Sequence, residues 1–389
     1  MSNAGLVIKF VDSIDDIDKA SWDILRDNDY PFLRYEFISA LEHSGATNKA
    51  TGWTPHHIVI EQTAENPAKI IAIIPLYIKA HSYGEYVFDW SWADAYHQHG
   101  IDYYPKLISC IPFTPATGPR VLFDKSYDLN HLVSIATSAI KSEASRLNAS
   151  SWHCLFPEQE LNEYLREHEI SSRIGCQFHW LNQNYASFDE FLASFNSRKR
   201  KNLNKERKRV ADQGLVLQTK CGEEISADEW QQFYQFYHFT YFKRSGRQGY
   251  LNEKFFSLLA NTMPSQIMMV TAYHQNSLVA ASLFFIGGDT LYGRYWGCQQ
   301  EFECLHFEAC YYQGINFAIE KGLSRFDPGA QGEHKIQRGF TPTITYSNHW
   351  IAHPEFRSAI NQFLVQERKG TLSYFEDAKS YLPFKHKAD

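Results

Sequence analysis

The strongest constraint on the fold of this 389-residue chain is an order of elements that occurs twice. The first half reads as a strand (7–11) and helices (14–26, 35–43). Two strand-like runs follow (57–62, 70–80), joined by the polar turn Glu65-Asn66-Pro67. A strand near 107–112, a helix (129–147) and an apolar run (151–156) complete it. The second half reads as helices (188–195, 198–211, 228–242, 253–261), then strands 267–274 and 278–286 around the turn Gln275-Asn276-Ser277. A strand (290–297), a helix (306–321) closed by Gly322 and a strand (324–327) follow. Two α/β units in tandem satisfy this order. The boundary is expected within 177–187, giving domains 1–180 and 181–389. There, Ser187-Phe188-Asp189-Glu190 fits a capping box, in which hydroxyl and carboxylate satisfy first-turn amides. No short repeat is visible, which excludes solenoids and propellers.

Charge is unevenly distributed. The chain carries a net −6, yet residues 197–209 hold eight bases against one acid, Glu206. At helical spacing Arg198, Lys201, Lys205 and Lys208 share one face. Little of that segment is apolar, so core packing does not explain its composition. A polyanion such as an RNA acceptor stem, or a phosphate-bearing substrate, would; a solvated helix face is the plain alternative. Seven cysteines without a Cys-x-x-Cys pair suggest free, mostly buried thiols in a reducing cytoplasm. The apolar run 70–78 is interrupted by Pro75 and is too short to span a bilayer. The run 5–11 is followed at once by Asp12, Asp15, Asp16 and Asp18, unlike a secretory signal.

Common catalytic signatures are missing: no phosphate-binding Walker loop, no nucleophile elbow, no zincin motif. His97 and His99 are a lone pair, so no metal site is expected. The most unusual stretch is 327–340, Asp-Pro-Gly-Ala-Gln-Gly-Glu-His-Lys-Ile-Gln-Arg-Gly-Phe. Gly329 and Gly332 allow backbone amides to approach a ligand closely. Glu333 and His334 are candidate bases, and Lys335 and Arg338 candidate anion binders. A salt-bridged Gly-rich turn is the structural alternative. Upstream, Arg294 and Tyr295 are adjacent in a strand, so they point to opposite faces. Residues 83–94 interleave aromatics and acids, and Trp90, Trp92 and Asp94 suit a sugar or peptide acceptor as well as they suit a capped aromatic core. The Pro-rich run 112–120 reads as a rigid loop bringing Arg120 to a surface.

Residues 197–214 resemble the segment that opens the second domain of FemABX-type proteins, tandem GNAT-fold aminoacyltransferases of peptidoglycan cross-bridge synthesis. The run from Tyr83 to Trp90, the Pro-Phe-Thr-Pro run from Pro112 and residues 329–340 are similar to a FemAB-like branch of N-acyltransferases. The resemblance spans nearly the whole chain. It implies two GNAT-like domains and an amide-forming transfer, in which an amine attacks an activated acyl group. Splayed strands at the ends of 290–297 and 324–327 would offer a free amide to the oxyanion.

One departure bears on the donor. Acyl-CoA enzymes of this fold carry a glycine-rich pyrophosphate loop after the strand. Here residues 298–305 contain no glycine and two acids. The expected donor is therefore aminoacyl-tRNA rather than acyl-CoA, with no tightly bound cofactor. The expected acceptor is a small-molecule or peptide amine, such as a peptidoglycan precursor, lying between the domains. A CoA-dependent enzyme with an unorthodox loop, a non-catalytic binder of cell-wall precursor or RNA, and a membrane-surface protein are the rivals. The last ranks lowest because the basic helix lacks an apolar face.

Overall fold

The structure, a computed structural model, describes residues 5–26, 28–64, 67–246, 248–330 and 332–385. The expected turn at Glu65-Asn66 lies outside them. The chain forms two units, neither of them a single stretch of sequence. One holds the chain up to Gly175 together with Ile344–Leu372; the other holds Cys176–Thr343 and the residues from Ser373 onward. The expected division at 180/181 is corrected accordingly. A strand and most of a helix near the C-terminal end belong to the first unit.

In chain order the first unit contains β1 (Leu6–Val11), α1 (Lys19–Leu25), α2 (Tyr35–His43), β2 (Trp53–Pro55), β3 (His57–Gln62), β4 (Lys69–Ile74) and β5 (Tyr77–Lys79). These are followed by α3 (Trp90–Gln98), β6 (Lys106–Ser109), β7 (Leu122–Phe123), α4 (Leu129–Arg146), β8 (Ser151–Leu155) and α5 (Gln159–Glu167). Strand β9 (Ser171–Leu181) leads onward. The second unit adds α6 (Phe188–Ala193), α7 (Ser197–Asp212), β10 (Leu215–Cys221), α8 (Ala227–Ser245), α9 (Glu253–Thr262), β11 (Ile267–His274), β12 (Ser277–Gly287) and β13 (Thr290–Cys298). Next come α10 (Leu305–Phe307), a π-helical turn (Glu308–Tyr312), α11 (Gln313–Glu320) and β14 (Arg325–Asp327). A 3-10 turn (Glu333–Arg338) then leads to β15 (Thr341–Ile351) and α12 (Pro354–Ser380), most of both belonging to the first unit.

Each unit repeats one sheet topology. In the first, β2–β5 and β5–β6 are antiparallel, β6–β8 is parallel, and β8–β15 is antiparallel. In the second, β11–β12 and β12–β13 are antiparallel, β13–β14 is parallel, and β14–β9 is antiparallel. The first unit also has a separate antiparallel sheet, β1-β3-β4-β7. The expected single strand 70–80 is two strands in two sheets. Pro75 has no N–H for the ladder, so β4 ends at Ile74 and the chain resumes as β5.

Local chemistry explains several boundaries. Gln275 and Asn276 both adopt left-handed φ, +50° and +61°, which suits a two-residue hairpin turn between β11 and β12. The Ser187 hydroxyl accepts the Glu190 N–H, while the Glu190 carboxylate reaches one residue further back, to the Ala186 N–H. The expected helix 14–26 is interrupted: Ser13 caps a 3-10 turn, and Asp18 caps α1 separately. In the second unit Phe191, Phe284, Tyr312, Phe326 and Phe340 fill the core. In the first, Ile58, Leu107, Leu132, Ile140 and Trp152 do so.

Helix α8 lies directly on β13. A Cβ added at Gly297 would stand 2.2 Å from the Phe236 carbonyl carbon and 2.4 Å from the Tyr237 nitrogen. Gly297→Ala is therefore expected to destabilise the protein by about 3 kcal/mol. Gly370→Ala, in exposed α12 with nothing within 4 Å, should instead stabilise it by about 0.5–1 kcal/mol. Denaturant midpoints check both; an unchanged midpoint for Gly297→Ala would contradict the backbone-on-backbone contact.

Candidate functional site

In the second unit β13 and β14 pair over three positions only, Thr290↔Arg325, Leu291↔Phe326 and Tyr292↔Asp327. Beyond Tyr292, β13 runs on to Cys298 while β14 ends, so the strands fork. Arg294 is the extra residue of a bulge there: Gly293 pairs with Phe284 and Tyr295 with Leu283. The Arg294 guanidinium donates to both Asp327 carboxylate oxygens (2.7 and 3.2 Å) and to the carbonyls of Gly293 (2.8 Å) and Asp327 (3.3 Å). Both side chains are 2 % exposed. Tyr295, pointing the other way, packs against Tyr237 and Phe256.

Burial alone would raise the pKa of Asp327. The Arg294 charge, the nearby His179 and the Gly329 N–H override that and hold it well below the usual carboxylate range. His179, 3.7 Å from Asp327, is pushed down to about 4 by burial. Its Nδ1 is buried without a hydrogen-bond partner.

The strand-exit loop folds back over this pair. Gly329 and Gly332 take φ of +96° and +115°, and a Cβ on Gly332 would strike the His334 ring. Lys335 is 2 % exposed and donates to the Gly329 carbonyl at 2.7 Å. Burial lowers its pKa to about 8, against the pull of Asp327. The His334 Nε2 and the Tyr311 hydroxyl share a hydrogen bond of 2.9 Å. Burial and the charges of Arg338 and Lys335 push His334 to about 4, so it is neutral at pH 7. Glu333 is exposed and accepts a hydrogen bond from Tyr374 at 2.8 Å. Both candidate bases are exposed, His334 bonded to Tyr311 and Glu333 to Tyr374.

Arg338 is 8 % exposed. It donates to Tyr312 Oη (3.0 Å), to the His334 carbonyl (2.6 Å) and to Glu206 (2.8 Å), and stacks on Phe307. Glu206 also accepts from Tyr312. The one acid of the basic segment is therefore what fastens α7 to the loop. Arg207 adds a pair with Glu308, which is 3 % exposed. The π-helical turn presents Glu308, Tyr311 and Tyr312 to these partners. Arg198, Lys201, Lys205 and Lys208 remain exposed, with no ion pair among the described residues.

The first-unit candidates are not brought together. Trp92 is buried against His349, whereas Trp90 and Asp94 are exposed. Arg120 is a correction: it does not reach a surface. It is 2 % exposed and donates to the carbonyls of Ala116, Gly118, Pro119 and Leu155, tying its own loop to β8. Sequence reasoning missed a buried cluster beneath this region. Lys106 is 0 % exposed, yet it donates to Glu85 and Ser82 (2.8 Å each) and to Asp89, and Tyr103 also donates to Asp89. Burial raises Glu85 to about 7, whereas Lys106 outweighs burial and holds Asp89 down to about 2.

Residues 298–305 form no glycine cradle. Glu301 pairs with Lys243 of α8, Glu303 pairs with Arg209 of α7, and both carboxylates are exposed. All seven cysteines are free; two are buried and five partly so. Among the described residues no helix is long and apolar enough to cross a membrane, and no group of three or more His, Cys, Asp or Glu is placed to hold a metal.

A family model described as peptidoglycan biosynthesis/recognition matches residues 13–386. No curated protein matches the chain significantly. Among solved structures, the chain is similar to FemX (13% identity, TM-score 0.52), covering 89% of this chain and 98% of that one. It is also similar to L-PGS from Bacillus licheniformis (10% identity, TM-score 0.48, 84% and 95% covered). A third likeness is to a tandem GNAT protein from the clavulanic acid biosynthesis pathway (9% identity, TM-score 0.47, 90% and 99% covered). The FemX likeness is one of fold.

Asp327→Asn would leave the buried Arg294 charge uncompensated and is expected to cost about 3–5 kcal/mol at pH 7. In the native state the Asp327 carboxyl lies below its ordinary 3.8, so the unfolded chain takes up the proton first as pH falls. Its stabilisation is complete above that value and is lost below about pH 4. The variant should therefore show a flatter acid limb in thermal melts. An acid limb parallel to that of the wild type would contradict the assignment.

Proposed function

The chain belongs to the FemAB-like family, and from that premise we propose that its second unit is an N-acyltransferase acting at the β13–β14 fork. The observation that carries this reading is the buried Lys335 ammonium, seated on the Gly329 carbonyl beside a fork held by Arg294 and Asp327. A cation pre-positioned in a water-poor site is suited to a developing oxyanion. The amine acceptor attacks the ester carbonyl and a C–N bond forms. The tetrahedral oxyanion is stabilised by Lys335 and by β13 backbone beyond the fork. The amine proton passes to His334 or Glu333, and the ester C–O bond breaks to release the donor alcohol. With a pKa near 8, Lys335 is largely protonated at pH 7 and poised to return a proton to that leaving oxygen.

For the donor we favour aminoacyl-tRNA over acyl-CoA. Two acids stand where a pyrophosphate would need amides, and four exposed bases line α7. The acceptor we favour is a peptidoglycan-precursor or related peptide amine, in keeping with the family's description. A cytoplasmic location fits the seven free thiols.

Lys335→Ala should lower turnover with an aminoacyl-tRNA donor by about 10²–10³-fold. Glu333→Gln and His334→Gln, both exposed positions, should separate the base: the one that acts loses turnover far more than stability. Acetyl-CoA should neither serve as donor nor compete. Transfer that survives Lys335→Ala would refute the site, and ligand binding with no turnover by the wild type would favour a non-catalytic binder.

A further inference from the structure

A second surface of this unit is unused by the transfer chemistry. Phe239 and Phe242 lie one turn apart near the C-terminal end of α8, and each is 59% exposed. Scattered exposed apolar residues are ordinary, but an adjacent aromatic pair flanked by Lys243 and Arg244 is not. Their position is fixed by the loop after β13. Lys243 pairs with Glu301, and the Thr240 hydroxyl accepts the Cys298 N–H. From the other side Arg209 pairs with Glu303, and Gln213 donates to the Glu303 carbonyl. Helices α7 and α8 thus grip one short loop. On α7, Leu203, Glu206, Arg207 and Val210 face inward, which leaves Arg198, Lys201, Lys205 and Lys208 in solvent.

We propose that α7 and the end of α8 form one RNA-binding surface with two parts. The four exposed bases of α7 meet phosphates of a duplex, and Phe239 and Phe242 stack on unpaired bases of its single-stranded 3′ end. Cations alone would accept any polyanion. The aromatic pair selects a polyanion that also offers flat ring faces. A lipid surface fits less well, because the only apolar residues along α7, Leu203 and Val210 apart from Ala211, are turned into the unit. This inference rests on the reading that the acyl donor is carried by RNA.

The test is fluorescence anisotropy on the full chain, with an RNA hairpin bearing a short single-stranded 3′ tail and the same hairpin blunt-ended. The wild type should bind the tailed form at least about tenfold more tightly. The Phe239→Ser/Phe242→Ser variant should bind both forms equally, with blunt-end affinity and melting temperature unchanged, while Phe239→Tyr/Phe242→Tyr keeps the preference. Replacing Arg198, Lys201, Lys205 and Lys208 by Gln should weaken both forms and reduce the slope of log affinity against log salt by about 3. Equal binding of the two hairpins by the wild type, or a preference that survives the serine variant, overturns the inference while leaving an RNA-borne donor standing. Absence of any RNA binding overturns both. Binding to phosphatidylglycerol vesicles that the serine variant loses, with RNA binding untouched, overturns it in favour of a membrane.

Discussion

The second unit depends on one buried ion pair. Arg294 occupies a bulge at the point where β13 leaves β14, and it bonds both the carboxylate and the carbonyl of Asp327, the last residue of β14. An unpaired charge at that depth would be costly. Pairing makes the fork a fixed feature rather than a frayed end. Once the fork is fixed, the chain leaving Asp327 must turn at once. The Gly329 amide caps the same carboxylate, and its carbonyl then receives Lys335. The position and lowered basicity of Lys335 follow from a strand pairing that stops after three residues.

The same economy governs the basic helix. A segment with eight bases would repel itself from a cationic loop that already holds Lys335 and Arg338. Glu206 reverses that by accepting from Arg338 and Tyr312, and Arg207 is absorbed by Glu308. Three charged residues within four positions, Glu206, Arg207 and Arg209, pair with the unit or its loop, while Arg198, Lys201, Lys205 and Lys208 face water. The composition serves anchoring on one side of the helix and leaves charge available on the other.

Much of the fold was legible in the sequence. The hairpin of β11 and β12, helix α2 and strand β3 fall within one residue of the expected limits because apolar runs, helical periodicity and turn residues agree locally. Strands β9 and β15 were not legible. They carry the buried polar residues Gln177, His179, Ser347, Asn348 and His349, on both faces of β15, which break the apolar pattern. The Trp and Asp residues of helix α3 suited both an acceptor site and a capped aromatic core; in the fold Trp92 is turned inward, while Trp90 and Asp94 are exposed. At the site, sequence reasoning found Lys335, Arg338 and Arg294 as cations but not what they touch. Arg338 meets a partner 132 residues away, and Arg120 is consumed by carbonyls of its own loop and of Leu155. A residue type announces its chemistry; whether that chemistry is spent internally is decided by contacts distant in sequence.

The most direct measurement of this account is the titration of Lys335, followed by NMR on isotope-labelled lysine and assigned with Lys335→Arg. The account predicts a midpoint near 8 in the wild type, falling further in Asp327→Asn because the carboxylate raises it. A midpoint near the ordinary 10.5, insensitive to Asp327, would mean that Lys335 is a solvated surface cation, and would contradict the assignment of the fork as the transfer site.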